Sequence, residues 1–251
     1  MRKIIHYCWF GGPKPEKVQR CVESWRQWEP GAEICEWNEF NSGCEDSEYY
    51  RKAVAVRQWA FASDYVRLRK LKELGGVYFD TDIELRSPIV EELGKSSVTL
   101  GFEKNCVHAG VMASEPEHPF IKALHAGYDG EIDVGEEGTE PKSIVSRITD
   151  LLIDEYGLRS PFGDCHLREG IRILPANMLL VDMGDGKNLC VHHYAASWKE
   201  NFDSGDFLKD VCRYCDWENA SITFRLRERL KMLLQYRFPS LYRRIRDGKV
   251  R

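Results

Sequence analysis

No apolar run in the 251-residue chain approaches the roughly 18 residues that span a bilayer as a helix. The opening stretch "MRKIIHYCWFGG" is too short, and too soon broken by glycine, for a secretory signal, so the expectation is a cytoplasmic protein. There is no internal repeat and no low-complexity linker. A disulfide framework is lacking too, since the nine cysteines are odd in number and scattered, which suits reduced thiols. Cys212 and Cys215 form the only CxxC pair, and without a second pair at similar spacing they read as ordinary thiols rather than a zinc site. An overall basic excess is missing as well: the net charge is −4, which sets nucleic-acid binding aside. What remains, 43% hydrophobic and 12% aromatic residues, is enough for a substantial core.

The coarse pattern alternates strand and helix, which favours an α/β unit. "KIIHYCWF" (3–10) is an apolar strand ended by Gly11, Gly12 and Pro13, and a helix is expected from Pro15-Glu16 to about Trp28. "AEICEW" (32–37) reads as the next strand. "RQWAFASDYVRLRKLKEL" (57–74) reads as a helix with Phe61, Tyr65 and Leu68 on one side, stopped by Gly75-Gly76. It feeds "VYFD", a strand whose C-terminal end lies where open α/β sheets bind ligands.

At that end "LGGVYFDTDIEL" (74–85) places two aspartates one residue apart. In an extended segment Asp80 and Asp82 share one face. Two converging carboxylates require a counter-charge, and oxygen ligands with room for phosphate suit Mg²⁺ or Mn²⁺. An isolated DxD serves equally well as a pair of exposed turn residues. The preceding helix weighs against that, because Asp64 and Arg67, three apart, lie on one helix face close to the aspartates.

The string "FASDYVRLRKLKELGGVYFDTDIEL" resembles the donor-binding segment of glycosyltransferase family 32, which contains fungal initiating mannosyltransferases and bacterial capsular-polysaccharide transferases, and it is similar to the glucosylating domains of clostridial toxins. S-D-x-x-R, L-x-x-x-G-G and D-x-D occur at fixed spacing. "IIHYCWFGG", "EHPF" (117–120) and "VHHYAASW" (191–198) resemble three further blocks of the family. The resemblance implies a GT-A fold, a Rossmann-like mixed sheet flanked by helices, over residues 1–224, holding a nucleotide diphosphate sugar with a UDP-sugar favoured. It implies that Asp80 and Asp82 engage Mn²⁺ or Mg²⁺, with His193 or its neighbour His192 as a further ligand, and that Asp64, Arg67 and Asp80 meet the sugar and phosphate. Trp9 would lie against the base, and Ser197 and Trp198 would close over the diphosphate. Asn105 falls in the segment facing the sugar, although a plain turn residue fits there as well. Adding an imidazole to two carboxylates moves the preference toward Mn²⁺. Retention of anomeric configuration and transfer to a glycan acceptor, lipid-linked as in capsule or lipopolysaccharide synthesis, complete the expectation.

Two features depart from it. "GTEPKSI" (138–144) carries Glu140 between Thr139 and Pro141, where the family often has T-G-P or T-S-P, and no residue stands out as a covalent nucleophile. "VYFDTDIEL" also resembles the first motif of haloacid-dehalogenase-type phosphatases, with "VDMGDGKN" (181–188) as their acidic motif. Those motifs normally continue D-x-D-G-T, however, and Asp185-Gly186 reads better as a hairpin turn. A non-catalytic nucleotide-sugar-binding module would need no metal. His6 reads as a hydrogen-bonded core residue. Finally, residues 225–251 hold ten Lys or Arg against Glu228 and Asp247, a balance of +8, so the other 224 residues carry −12. With Phe224, Leu226, Leu230, Leu233 and Leu234 near helical spacing, this stretch is expected to form a basic amphipathic tail. It suits either an anionic membrane surface or its own domain.

Overall fold

The computed structural model describes residues 2–130, 141–195 and 204–248. In chain order the elements are β1 (Ile4–Cys8), α1 (Glu16–Trp28), β2 (Glu33–Trp37), α2 (Glu48–Ala55), α3 (Trp59–Leu74), β3 (Gly76–Phe79), β4 (Ile83–Leu85), α4 (Val90–Leu93), β5 (Val98–Glu103) and β6 (Cys106–Ser114). There follow α5 (Pro119–Ala126), α6 (Ile144–Glu155), β7 (Cys165–His166), β8 (Ile171–Leu174), α7 (Ala176–Leu179), β9 (Cys190–His192), α8 (Ser204–Cys215), α9 (Ile222–Arg237) and α10 (Pro239–Arg246).

Seven strands form one mixed sheet in the order β2-β1-β3-β6-β5-β8-β7, and β4 pairs with β9 in a small second sheet. β1 runs parallel to β2 and β3, β6 antiparallel to β3 and β5, and β8 parallel to β5. The period-two alternation of strands sorts the sheet's side chains into two cores. Ile5, Tyr7, Val77, Phe79 and Val111 pack with Trp25 of α1, whereas Tyr78, Leu100, Phe102 and Met112 pack with Leu68, Phe120 and Ile148 from the helices of the other face. This is the mixed, helix-flanked sheet expected from the sequence.

Several local expectations hold. His118 caps α5, its ring nitrogen accepting from Phe120 N–H at 3.2 Å, so "EHPF" does open a helix. His6 is fully buried and hydrogen-bonded on both ring nitrogens, to the Gly75 carbonyl at 2.9 Å and from Trp37 Nε1–H at 3.1 Å. All nine cysteines are free thiols.

Two stretches differ in detail from the local pattern. "NMLLVDM" begins as the short helix α7, and the chain still returns against it, Leu189 N–H donating to the Met178 carbonyl at 2.8 Å and His192 N–H to the Leu180 carbonyl at 3.0 Å, while β9 also pairs with β4. Asp182 and Asp185 close turns of their own, accepting from Gly184 and Lys187 N–H at 2.8 and 3.0 Å. The basic C-terminal stretch begins within a helix: α9 starts at Ile222, so residues 224 and 225 are consecutive in it. Phe224, Met232 and Tyr236 are buried in the main core, and α10 is tied to α6 by Arg243 against Asp150 and Asp154.

Candidate cation and donor site

The site grows from the way β3 ends. Gly75 takes φ 66° between α3 and β3, where a Cβ would lie 2.8 Å from the Pro116 nitrogen and 2.9 Å from the Ser114 carbonyl, so only glycine fits. The strand stops at Phe79. Asp80 N–H still donates to Gly110 at 2.8 Å, but Ile83 N–H turns back to the Asp80 carbonyl at 3.0 Å. The carboxylates therefore converge across a turn, not by strand alternation. That turn is clamped on both sides. Ile83 pairs with His192 in the β4–β9 ladder, His193 N–H donates to the Asp82 carbonyl at 3.0 Å, and Trp25 Nε1–H donates to the Ile83 carbonyl at 2.8 Å.

This pairing brings Asp80, Asp82 and His192 together, with one ligand atom of each within 4.8 Å of the others. Asp80 Oδ1 takes the Arg67 guanidinium at 3.1 Å and the Tyr78 hydroxyl at 3.0 Å. Asp82 accepts from Ala195 N–H at 2.8 Å and lies 3.1 Å from His192 Nε2. Burial pushes Asp82 up, but the His192 charge and these hydrogen bonds hold it below the usual carboxylate range. Burial likewise lowers His192, and Asp82, reinforced by Asp80 and Glu103, outweighs it and raises the imidazole.

The residues fit a divalent cation on two observations. His192 Nδ1 is buried without a protein partner among the described residues, a polar atom that a cation would satisfy. Gly110 opens the space between the groups: a Cβ there would sit 3.1 Å from Asp80 Oδ2, 3.2 Å from His192 Cε1 and 3.4 Å from His108 Nδ1. His108 lies beside the cluster, its ring 6.3 Å from that of His192. Burial first, then the charges of His192 and Arg67, push it down to about 3, so it stays neutral.

Arg67 is bound within the protein. Its Nη1 donates to the Ala109 carbonyl at 2.9 Å, Nη2 to Ser63 Oγ at 3.2 Å and Nε to the Ser63 carbonyl at 3.4 Å. Ion pairs add Asp80 Oδ1 at 3.1 Å from Nη1 and Asp64 Oδ1 at 3.0 Å from Nη2. At 5% exposure, Arg67 fixes Asp80 to α3. Asp64 is buried beside it, and that burial pushes its carboxyl up to about 7 against the pull of the Arg67 charge.

The remaining expected residues are dispersed. His193 turns away from the cluster, with Nε2 2.7 Å from Glu84 Oε2, so the imidazole of the cluster is that of His192. Asn105 is buried in the β5–β6 turn and holds α9: its Nδ2 donates to Gln235 at 2.5 Å, and its carbonyl accepts from Gln235 Nε2 and the Tyr236 hydroxyl at 3.0 and 2.7 Å. Trp9 follows β1 at the same sheet edge, half-buried, its Nε1–H on the Gly12 carbonyl at 2.8 Å. Ser197, Trp198, Thr139 and Glu140 lie outside the described residues. Gly110, Tyr78 and the choice of His192 were not signalled by any local pattern.

The fold and this cluster define an α/β protein with a candidate cation site at the C-terminal end of a central strand. Residues 15–100, which contain the aspartates, match the family model described as "Glycosyltransferase sugar-binding region containing DXD motif", so the chain carries such a region, as its resemblance to family 32 implied. No protein of curated function matches the chain. Among solved structures it is similar to the PaToxG glycosyltransferase (18% identity, 61% of this chain and 69% of that one, TM-score 0.45). It is similar also to the glycosyltransferase GlyE of Streptococcus pneumoniae TIGR4 (11%, 91% and 63%, 0.44). A third is the galactosyltransferase LgtC in complex with donor and acceptor sugar analogs (11%, 88% and 99%, 0.42).

Proposed function

We propose that the chain is a metal-dependent glycosyltransferase of GT-A type that moves a hexose or N-acetylhexosamine from a nucleotide diphosphate sugar, a UDP-sugar by preference, to a glycan acceptor with retention of configuration. The observation that carries this reading is the convergence of Asp80, Asp82 and His192 inside the matched DXD region. These three would hold Mn²⁺, which two carboxylates and an imidazole favour over Mg²⁺. When bound, the cation supplies positive charge to the departing diphosphate. The acceptor oxygen bonds the anomeric carbon on the same face from which the diphosphate departs, as that bond breaks, and the hydroxyl proton leaves to solvent.

The protein's own residues act around that event. Arg67 and Asp64 are positioning residues that lock Asp80, and Ala195 N–H locks Asp82. Trp9 offers a ring to the base. By calorimetry Asp82→Asn is expected to lose Mn²⁺-dependent UDP binding while unfolding like the parent; binding equal to the parent's contradicts the assignment.

The acceptor we assign is a lipid-linked glycan of capsule or lipopolysaccharide type, met at the cytoplasmic face of a membrane. No described helix is long and apolar enough to cross one, but α9 and α10 present an uncovered stripe. Ile222, Leu226, Leu230, Leu233, Phe238, Leu241 and Ile245 are between 41% and 67% exposed, with Arg229, Arg237 and Arg244 exposed beside them. Each cation contributes about 1 kcal/mol at an anionic surface. Because α9 is half core, point changes test this better than truncation. Leu226→Glu with Leu230→Glu is expected to abolish co-sedimentation with anionic liposomes without altering nucleotide binding, and unchanged co-sedimentation removes the idea.

A further inference from the structure

The strands β1, β3, β5 and β8 all point the same way, so their C-terminal ends share one edge of the sheet. Asp80 leaves β3 at this edge, Lys104 follows β5, and Asn177 lies just after β8. With β6 between them, β5 stands two strand spacings from β3 and β8 three, about 10 and 14 Å.

At the β5–β8 end lies a cavity of about 480 Å³, within the range of about 300–1,000 Å³ typical of small-ligand sites. Its walls combine two kinds of surface. Phe162 and Trp217 give an aromatic floor, their rings 4.9 Å apart, over Tyr214, whose hydroxyl is held by Glu228. Lys104, Asn177, Asp216 and Glu218 supply polar groups, the two carboxylates exposed at the rim. A purely apolar ligand would leave those charges badly placed, and a nucleotide would meet two carboxylates with its phosphates. A sugar fits, because its ring has an apolar C–H face for an aromatic side chain and hydroxyls that both donate to carboxylates and accept from an ammonium or amide.

A row of packed side chains separates the groove from the cation cluster. Lys104 Nζ lies 3.8 Å from the centre of the Phe207 ring, Phe207 is 4.9 Å from Tyr194, and Tyr194 stacks on His192 at 4.0 Å. The groove therefore lies a few side chains from Asp80 and Asp82 along this edge, on the order of the 10–14 Å that the strand spacing sets.

We propose that this groove binds the acceptor glycan, gripping the units behind the one being extended so that the terminal hydroxyl reaches the Asp80–Asp82–His192 cluster. The inference rests on the transferase reading above and adds the acceptor subsite to it. It identifies Phe162, Trp217 and Asp216 as determinants of acceptor affinity that leave donor binding alone.

The test uses the full chain on an array of mono- to tetrasaccharides of common hexoses and N-acetylhexosamines, with thermal unfolding in UDP or GDP plus Mn²⁺ run in parallel. The expected result is that the parent retains a subset of glycans. Trp217→Ala, Phe162→Ala and Asp216→Asn should each weaken retention about tenfold or more while keeping the parent's nucleotide-induced shift. Phe162 is half-exposed and Asp216 exposed, so these two variants stay informative if Trp217→Ala does not fold. Glycan retention that none of the three changes, or no retention while the nucleotide shift is intact, overturns the groove and spares the transferase reading. Absence of the nucleotide shift in the parent overturns that reading and this inference with it.

Discussion

Gly110→Ala separates the cation site from the fold around it. Gly110 sits in β6, and its φ lies outside the left-handed region, so alanine suits the backbone there. Fewer unfolded conformations would add about 0.4–1 kcal/mol of stability. Against that, the new methyl meets Asp80 Oδ2, His192 Cε1 and His108 Nδ1 at 3.1, 3.2 and 3.4 Å, which forces these atoms to give by a few tenths of an ångström; crowding of this kind costs about 1–3 kcal/mol. The net change in unfolding free energy is thus a loss of between about 0 and 2.6 kcal/mol. Cation binding should respond more sharply, because metal–ligand distances tolerate only about 0.2 Å. Disturbance of the groups that orient ligands typically costs about 10–100-fold in affinity. Titration calorimetry with MnCl₂ in the presence of UDP, beside urea unfolding, measures both. Gly31→Ala is the control, since a Cβ there meets nothing within 4 Å. A folded Gly110→Ala protein that binds Mn²⁺ within twofold of the parent refutes the placement of the cation between Asp80 and His192.

Three further outcomes follow from the same geometry. Arg67→Met leaves the Asp64 and Asp80 carboxylates without their shared cation and should cost about 3–5 kcal/mol in urea unfolding; a loss under about 1 kcal/mol would mean that the Arg67 ion pair is not what holds Asp80. Asp64, pushed up to about 7 by burial, binds its proton more tightly folded than unfolded. Its contribution to stability is therefore full below its ordinary value of about 3.9 and is lost as pH rises through about 7. Between about pH 4 and pH 7 the parent should lose stability relative to Asp64→Asn, and parallel curves would contradict the shift. Asn105→Ala strands the buried Gln235 Oε1, while Gln235 Nε2 keeps the main-chain carbonyl of residue 105, and should cost about 1–3 kcal/mol with nucleotide affinity unchanged; lost affinity at constant stability would return Asn105 to the donor site.

What the sequence made legible follows from the range of the interactions involved. The helix over 59–74, its glycine stop and the strand ending in Asp80 are written locally, in apolar spacing and in one glycine that no other residue can replace. The carboxylate pair was read correctly as convergent, but from strand alternation, whereas the turn closed by Ile83 does the work. His192 rather than His193 joins the pair because β9 pairs with β4 in one register, a contact across 109 residues that no local pattern encodes. Asn105 shows the same limit, since its partners lie 130 and 131 residues away. In α9 the apolar residues near helical spacing were visible, yet they divide between two faces: Phe224 and Met232 enter the core, while Leu226, Leu230 and Leu233 stay outside. Only the packing tells the two sets apart.

The most direct test of the central claim is thermal unfolding of the parent protein with UDP, GDP and a panel of their sugars, each with and without Mn²⁺. A Mn²⁺-dependent rise with one nucleotide is predicted, equivalent to about 2.7 kcal/mol at 100 times Kd, and abolished by Asp82→Asn. No shift with any nucleotide, together with hydrolysis of a simple phosphate ester that Asp80→Asn abolishes, would make "FDTDIEL" a phosphatase loop and contradict the account.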